Sequence, residues 1–315
     1  MIFLKHIFII NPAAGAYDAT EELKRQIESL NEKIDYEIYR TAKSGDATRY
    51  IKSVLETEKG KVRFYACGGD GTLNEVVNGA VLHDNASVSV YPCGSGNDFI
   101  KCFGKKEDFF DLNSLINAEE RAIDVIKVGD KYAVNAVHFG FDTHALKTML
   151  KVRRKKIIGG KRAYLTGVIT ALISGMKTKC TMKVDGKQFG KDVMLLCTIA
   201  NGKYVGGMFK CAPKSDVSDG LFEACYVYPV SRFTFIRLVK AYVDGTYLDD
   251  PRFKGRLCYT RGKKVEVDIP DGYISIDGEL TKTTHFTAEV VKGALNFAVP
   301  VAVKADIKEE EQVVC

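Results

Sequence analysis

Apolar positions in the first third of the chain concentrate in short runs separated by amphipathic stretches. Runs at 6–10, 34–40, 62–67 and 88–91 read as strands, the third of them as a buried one. Between them Leu23, Ile27 and Leu30 share one helix face, behind Asp18 and Glu21 at capping-box spacing. A second helix is predicted over 46–56. A third is predicted to start at Thr72, because Thr72 and Glu75 repeat the capping spacing. Strands alternating with helices make an α/β sheet. Three strands run into small-residue turns, at 11–15, 68–72 and 94–98. In a doubly wound sheet such turns lie side by side at the carboxyl edge, where ligands bind.

The texture changes after Asp124. Runs at 122–128 and 132–137 flank Gly129-Asp130, and runs at 181–184 and 188–191 flank Asp185-Gly186-Lys187, so both pairs read as hairpins. Further strands are expected at 194–200, 221–227, 257–259, 264–269, 273–276, 285–291 and 294–299, with helices at 164–176 and 232–242. Mostly antiparallel strands at this spacing predict a sandwich or sheet-rich second domain. The expected division is 1–124, joined by a tail at about 300–315, and 125–299. The charged end, 304–315, should pack loosely on the first domain or fray.

Composition adds limits. A chain of 315 residues, 46% hydrophobic, suffices for two cores. No apolar run reaches the ~18 residues of a membrane-spanning helix, and the first strand is too short and too interrupted for a secretory signal. Nine scattered cysteines without a C-x-x-C pair, and five dispersed histidines, indicate free thiols in a reducing cytoplasm and no zinc site. The net charge of +6 is modest but uneven. Lys151, Arg153, Arg154, Lys155, Lys156, Lys161 and Arg162 fall within twelve residues that hold no acid, a cluster suited to nucleic acid or an anionic bilayer, or simply to a solvated loop.

Candidate chemistry concentrates in four places. A strand, the turn Gly68-Gly69-Asp70-Gly71 and a helix beginning Thr72-Leu73-Asn74-Glu75 make a phosphate seat, since free N–H groups and the helix dipole favour an anion. Asp70 is informative there: a carboxylate beside phosphates needs Mg²⁺ or a shared proton between them. Gly94-Ser95-Gly96-Asn97-Asp98 repeats the glycine-rich pattern, with Ser95 able to donate to phosphate and Asn97 to bond a base, a sugar or metal-bound water. Asp277-Gly278-Glu279 places two carboxylates at the end of a β segment, where phosphoryl transfer to a hydroxyl needs a proton acceptor. Asp216 and Asp219 stand three residues apart before a strand, which suits either a hard cation or a plain turn.

Taken together, Asn11-Pro12-x-Ala14-Gly15, the run from Gly68 to Gly79, the run from Gly94 to Phe99, and Asp277-Gly278-Glu279 resemble, in order and spacing, the diacylglycerol kinase catalytic-domain family. That family includes soluble bacterial lipid kinases and the sphingosine and ceramide kinases. The resemblance reaches to about Val299. It implies an α/β fold: an N-terminal three-layer domain similar to NAD kinases and 6-phosphofructokinases, and a C-terminal β-sandwich domain. It implies ATP contacts at Asn11, Pro12, Ala13, Ala14 and Gly15, at Thr41, from Gly68 through Asp70 and Gly71 to Glu75, and at Gly94, Ser95, Gly96, Asn97 and Asp98. Asp277 and Glu279 match the acid pair credited with the base role, with Asp70 also catalytic. Asp216, Asp219 and the Leu221 carbonyl match a structural Mg²⁺ site, although Ser218 stands where the family has an acid.

The implied activity is an ATP- and Mg²⁺-dependent kinase of a membrane-lipid hydroxyl, diacylglycerol foremost, cytoplasmic and peripherally bound to an anionic membrane through the 151–162 cluster. Nucleic acid is then not a partner, and sheet edges leave room for a homodimer. Two other readings remain: a kinase of a soluble acceptor such as the NAD ribose, and a lipid- or nucleotide-binding regulator without catalysis.

Overall fold

The structure, a computed structural model, describes residues 4–15, 18–30, 32–94, 96–141, 143, 177–270 and 272–301. Ser95, the basic cluster at 151–162, the helix expected over 164–176 and the tail at 304–315 lie outside the described residues. The chain divides into two compact units, Met1–Asp124 with Lys292–Cys315, and Val125–Val291.

In chain order the elements begin β1 (Lys5–Ile10), α1 (Thr20–Glu28), β2 (Asp35–Arg40), α2 (Asp46–Thr57), β3 (Val62–Cys67), α3 (Asp70–Ala80), β4 (Ala86–Tyr91) and α4 (Leu112–Ile116). Next come β5 (Glu119–Val128), β6 (Lys131–Ala133), β7 (Ala136–Gly140), β8 (Thr178–Lys179), β9 (Thr181–Val184), β10 (Lys187–Gln188), β11 (Val193–Met194), β12 (Leu196–Ala200) and β13 (Phe222–Val227). The chain then forms α5 (Arg232–Val243), β14 (Leu257–Gly262), β15 (Lys264–Asp268), β16 (Tyr273–Ile276), β17 (Glu279–Lys282) and β18 (His285–Val299).

The first unit is a parallel sheet in the order β2-β1-β3-β4, extended by the end of β18, whose Asn296 and Phe297 pair with Ser87 and Val88. Every residue of β3 and β4 is buried, Arg63, Ser87 and Ser89 included, as expected of strands covered on both faces. The edge strand β2 is only half covered. On α2 the buried residues are Ala47, Ile51 and Leu55, one stripe at four-residue spacing. Burying the larger two stabilises the unit by about 1.5–3 kcal/mol each. Strand register sets the level of the turns. Ile10 lies opposite both Arg40 and Cys67, and Cys67 opposite Tyr91, so four strands end in one row and their turns emerge level.

The second unit is a β-sandwich. Its antiparallel sheet β14-β13-β12-β7-β16-β17 packs on a second antiparallel set, β10-β9-β15-β18. Cys197, Ile199, Ala224 and Tyr226 meet Met182, Val265, Val267 and Ala288 in the core between them. The alternate residues Leu196, Cys225 and Val227 face the other way, onto Leu238 and Ala241 of α5. That is why β13 is buried along its whole length.

Some expected strands differ: that at 194–200 divides into β11, which pairs with β8, and β12, and that at 188–191 is reduced to β10. The run at 132–137 breaks into β6, which pairs with β5, and β7, which joins the other sheet between β12 and β16. The runs at 285–291 and 294–299 form one strand, β18. Gly293 stays within it at φ +61 because its N–H donates to Asp124 Oδ1 at 2.8 Å instead of ending the ladder.

Candidate active site

The three glycine-bearing turns of the first unit bind one another. Asn11 donates from its backbone to Cys67 O at 3.1 Å and from its side chain to Thr72 Oγ1 at 3.2 Å. Gly94 N–H and Asn97 Nδ2 both donate to Gly68 O, at 2.9 and 3.0 Å, and Asp98 N–H donates to Asp70 Oδ1 at 2.6 Å. Glycine is demanded where the turns touch: a Cβ on Gly94 would sit 2.3 Å from Gly69 Cα. Thr41, just past β2, donates its N–H to Ile10 O at 2.9 Å.

Helix α3 opens on this cluster at Asp70, with Gly69 extended before it and no side chain capping its first N–H groups. Uncapped donors and a positive dipole end form a seat for phosphate. Asn97, held at φ +50 and 3% exposed, has its Oδ1 buried without a partner. Such an orphaned acceptor is rare in a folded chain and fits a ligand that brings a donor, as a nucleotide does. The carboxylate of Asp70, a hard oxygen donor, likewise fits Mg²⁺ carried on phosphates. Cys93, beside these turns, is no nucleophile, because burial, with Glu22 adding to it, pushes its thiol up to about 11.

The geometry corrects where α3 starts and shows what the side chains of two residues expected at the nucleotide touch. The helix does not start at Thr72, which lies inside its first turn. The side chain of Glu75, a residue expected at the nucleotide, caps α2: its carboxylate accepts from Gly45 N–H at 2.8 Å, Ala47 N–H at 3.3 Å and Ser44 Oγ at 3.2 Å. Leu73 is 2% exposed and has only its backbone to offer.

In the second unit Asp277 and Gly278, at φ +45 and +92, are the central pair of the β16–β17 hairpin, the backbone of a type I′ turn. The Asp277 carboxylate accepts from three successive backbone groups: Val134 N–H at 2.7 Å to Oδ2, and Asn135 and Ala136 N–H at 3.1 and 2.8 Å to Oδ1. Those N–H groups would otherwise continue a ladder, which explains the break between β6 and β7. Glu279 opens β17 half-exposed, its Oε2 3.6 Å from Lys131 Nζ. Asn135 also donates its side-chain amide to Tyr204 O at 2.8 Å, and its own Oδ1 is buried without a partner.

One residue past Tyr204 begins an apolar cavity between the sheet and α5. Val205, Phe209, Phe141, Leu196, Phe235 and Tyr242 are among its walls, and Arg256 is the one charged lining residue among those described.

The metal reading at Asp216, Asp219 and Leu221 does not fit the geometry. Asp216 Oδ1 accepts from Ser218 N–H and Oγ at 2.9 and 2.8 Å, while Asp219 Oδ1 accepts from Leu221 N–H at 2.9 Å and its Oδ2 pairs with Arg261. Arg261 Nε also lies 2.7 Å from buried Glu223, so one guanidinium stands between the two carboxylates. Among the described residues no three His, Cys, Asp or Glu side chains gather as metal ligands.

The model of the diacylglycerol kinase catalytic domain matches residues 5–128, and that of the YegS C-terminal NAD kinase beta sandwich-like domain matches 135–299. The chain belongs to the diacylglycerol kinase catalytic-domain family. A Bacillus subtilis relative named diacylglycerol kinase is 31% identical over 86% of this chain and 88% of its own length. An Alcanivorax borkumensis relative named "Probable lipid kinase YegS-like" is 28% identical over 82% and 85%. The fold is similar to a crystal structure of a Bacillus anthracis diacylglycerol kinase, with TM-score 0.72 and 21% identity across 96% of this chain and 99% of that one. It is also similar to an Archaeoglobus fulgidus NAD kinase solved with ATP, with TM-score 0.52 and 12% identity across 99% and 100%. This member of the lipid kinase family is a kinase with an alcohol acceptor and ATP as its phosphoryl donor. No helix among its described residues is long and apolar enough to cross a membrane.

Several residues around these turns leave no pattern in the sequence: the 134–136 cradle, Lys131, Tyr204, the cavity walls, and Lys106, whose Nζ donates to Gly94 O at 2.7 Å. Only Asn135, a polar residue midway through an apolar run, carried a local signal.

Proposed function

We propose that this kinase transfers the γ-phosphate of ATP to the hydroxyl of diacylglycerol at a membrane surface. ATP lies along the turns 11–15, 68–72 and 94–98, with its phosphates on the N–H groups of α3 and a nucleotide donor on Asn97 Oδ1. Asp70 is the residue that would hold a Mg²⁺ ion arriving with the triphosphate, and that ion would supply charge neutralisation there. Asp277, with both oxygens committed to backbone N–H groups, is a positioning residue, and Glu279 takes the hydroxyl proton. The observation that carries a lipid acceptor is the connection Asp277–Asn135–Tyr204–Val205, which joins the acid turn to an apolar cavity through two hydrogen bonds and one peptide link. A molecule with a hydroxyl at one end and an acyl chain at the other matches that sequence of surfaces; NAD or a sugar phosphate would leave the apolar walls unfilled.

The test is labelled ATP with Mg²⁺ against diacylglycerol, phosphatidylglycerol, a long-chain base and ceramide in mixed micelles, with NAD as a soluble acceptor. Label should enter diacylglycerol. Turnover of NAD with every lipid inert would overturn the proposal, and so would ATP binding with no transfer to any acceptor.

A further inference from the structure

Helix α5 is apolar on two sides. Its inner face, Leu238 and Ala241 with Phe235, Val239 and Tyr242, closes the sandwich sheet and the cavity. Its outer face carries Phe233, 74% exposed, and Ile236, 65% exposed, the two most exposed large hydrophobic residues among those described. They stand three residues apart and therefore side by side. An aromatic and an aliphatic residue left in water beside each other mark a contact surface.

The polar residues of that outer face say what the contact is. Arg232, Arg237 and Lys240 alternate with Phe233 and Ile236, and all five are exposed. No acid occurs from Ala224 to Val243. The nearest is Asp244, which pairs with Lys240 at 2.6 Å at the far end of the helix. Asp250, further on, is already held by Arg252. Apolar side chains ringed by cations are the pattern of a helix lying in the interface of an anionic bilayer: the rings enter the acyl boundary while the long basic stems reach back to phosphates. A second copy of the chain would bring the same cations against these.

We infer that α5 is the bilayer-docking surface of this protein, with Phe233 and Ile236 inserted among the lipids and Arg232, Arg237 and Lys240 on anionic headgroups. The inference rests on the lipid-acceptor reading only for its purpose; docking itself needs neither ATP nor turnover. A helix that docks with one face while lining the apolar cavity with the other brings that cavity to the membrane where its acyl chains are.

The experiment is co-sedimentation of the full chain with sonicated vesicles of phosphatidylglycerol and phosphatidylcholine, and of phosphatidylcholine alone, without nucleotide. The wild type should partition onto the anionic vesicles at least tenfold more strongly than onto the neutral ones. Phe233→Ser with Ile236→Ser, and separately Arg232→Glu with Arg237→Glu, should each lose at least tenfold of that binding while retaining the wild-type thermal transition, as substitutions of exposed side chains do. Phosphorylation of lipid dispersed in detergent micelles should be unchanged in both. Binding that survives both double variants would overturn the inference and return docking to another surface, such as the 151–162 segment. A wild-type dimer that dissociates in the Phe233/Ile236 variant while vesicle binding stays intact would overturn it in favour of a second copy. Docking through α5 without phosphorylation of any lipid would uphold the surface and refute the lipid-acceptor reading instead.

Discussion

The N–H of Val134 donates to Asp277 Oδ2 at 2.7 Å, across 143 residues of sequence. That bond and its two neighbours turn an acid in a hairpin into a fixture of the sandwich. Replacing one carboxylate oxygen with an amide group turns an acceptor into a donor facing N–H groups, at a cost of about 1–3 kcal/mol. Asp277→Asn should therefore lower both the melting temperature and the rate. Glu279→Gln should lower the rate by ~10²-fold and leave the melting temperature within about 1 °C. A Glu279→Gln enzyme of wild-type speed would reassign the proton acceptor.

The contact of Gly94 with Gly69 leaves no room for a methyl group, whereas a Cβ on Gly71 would meet nothing within 4 Å. Gly94→Ala should push the second and third turns apart and weaken ATP binding by tenfold or more. Gly71→Ala should keep the fold, gaining up to about 1 kcal/mol of helix propensity. Calorimetric titration with ATP alongside thermal melts checks both, and ATP binding by Gly94→Ala at wild-type strength would refute the packing argument.

Glu75 holds the start of α2, so Glu75→Gln should cost about 1–2 kcal/mol of stability with the KM for ATP nearly unchanged. The converse result, a tenfold rise in KM at constant stability, would return Glu75 to the nucleotide.

Arg261 stands between Asp219 and Glu223 where a cation was expected. EDTA should leave the melting temperature of the nucleotide-free protein unchanged within about 1 °C. Arg261→Met should lower it markedly and cost about 3 kcal/mol of stability, because it strands a buried carboxylate that desolvation already holds above the usual range. Stabilisation of the wild type by Mg²⁺ alone, abolished in Asp219→Asn, would show that a metal competes after all.

His6 sets an acid limit. Burial, with the charge of Arg63 adding to it, lowers its pKa from 6.5 to about 4, and its Nδ1 accepts from Tyr65 Oη at 2.7 Å in the neutral form. A lowered base takes its proton first in the unfolded chain. This contribution, about 3 kcal/mol, is therefore whole above pH 6.5, shrinks as pH falls from 6.5 toward 4, and then levels off. Denaturant midpoints should follow that course, and His6→Gln should flatten it. An acid limb as steep in the variant as in the wild type would place the titration elsewhere.

What could be read along the chain was whatever depends on neighbours. The runs 62–67 and 273–276 are strands to the residue, since a short, mostly apolar stretch ended by glycine or Asp-Gly has few other conformations. The family, the α/β-plus-sandwich architecture and the kinase chemistry were legible too, because Gly68-Gly69-Asp70-Gly71, Gly94-Ser95-Gly96-Asn97 and Asp277-Gly278-Glu279 are local patterns in a fixed order.

Partner choice was not legible. Glu75 had a capping spacing to Thr72 yet found the N–H groups of α2, 28 to 30 residues back. The 132–137 run looked like one strand until Asp277 drew off the N–H groups in its middle, and Asp219 met Arg261 rather than a metal. A carboxylate takes whichever donors the fold brings within ~3 Å, and donors far along the chain leave no mark beside it. Local physics chose the strands and turns; packing alone chose which charges and amides would face each other.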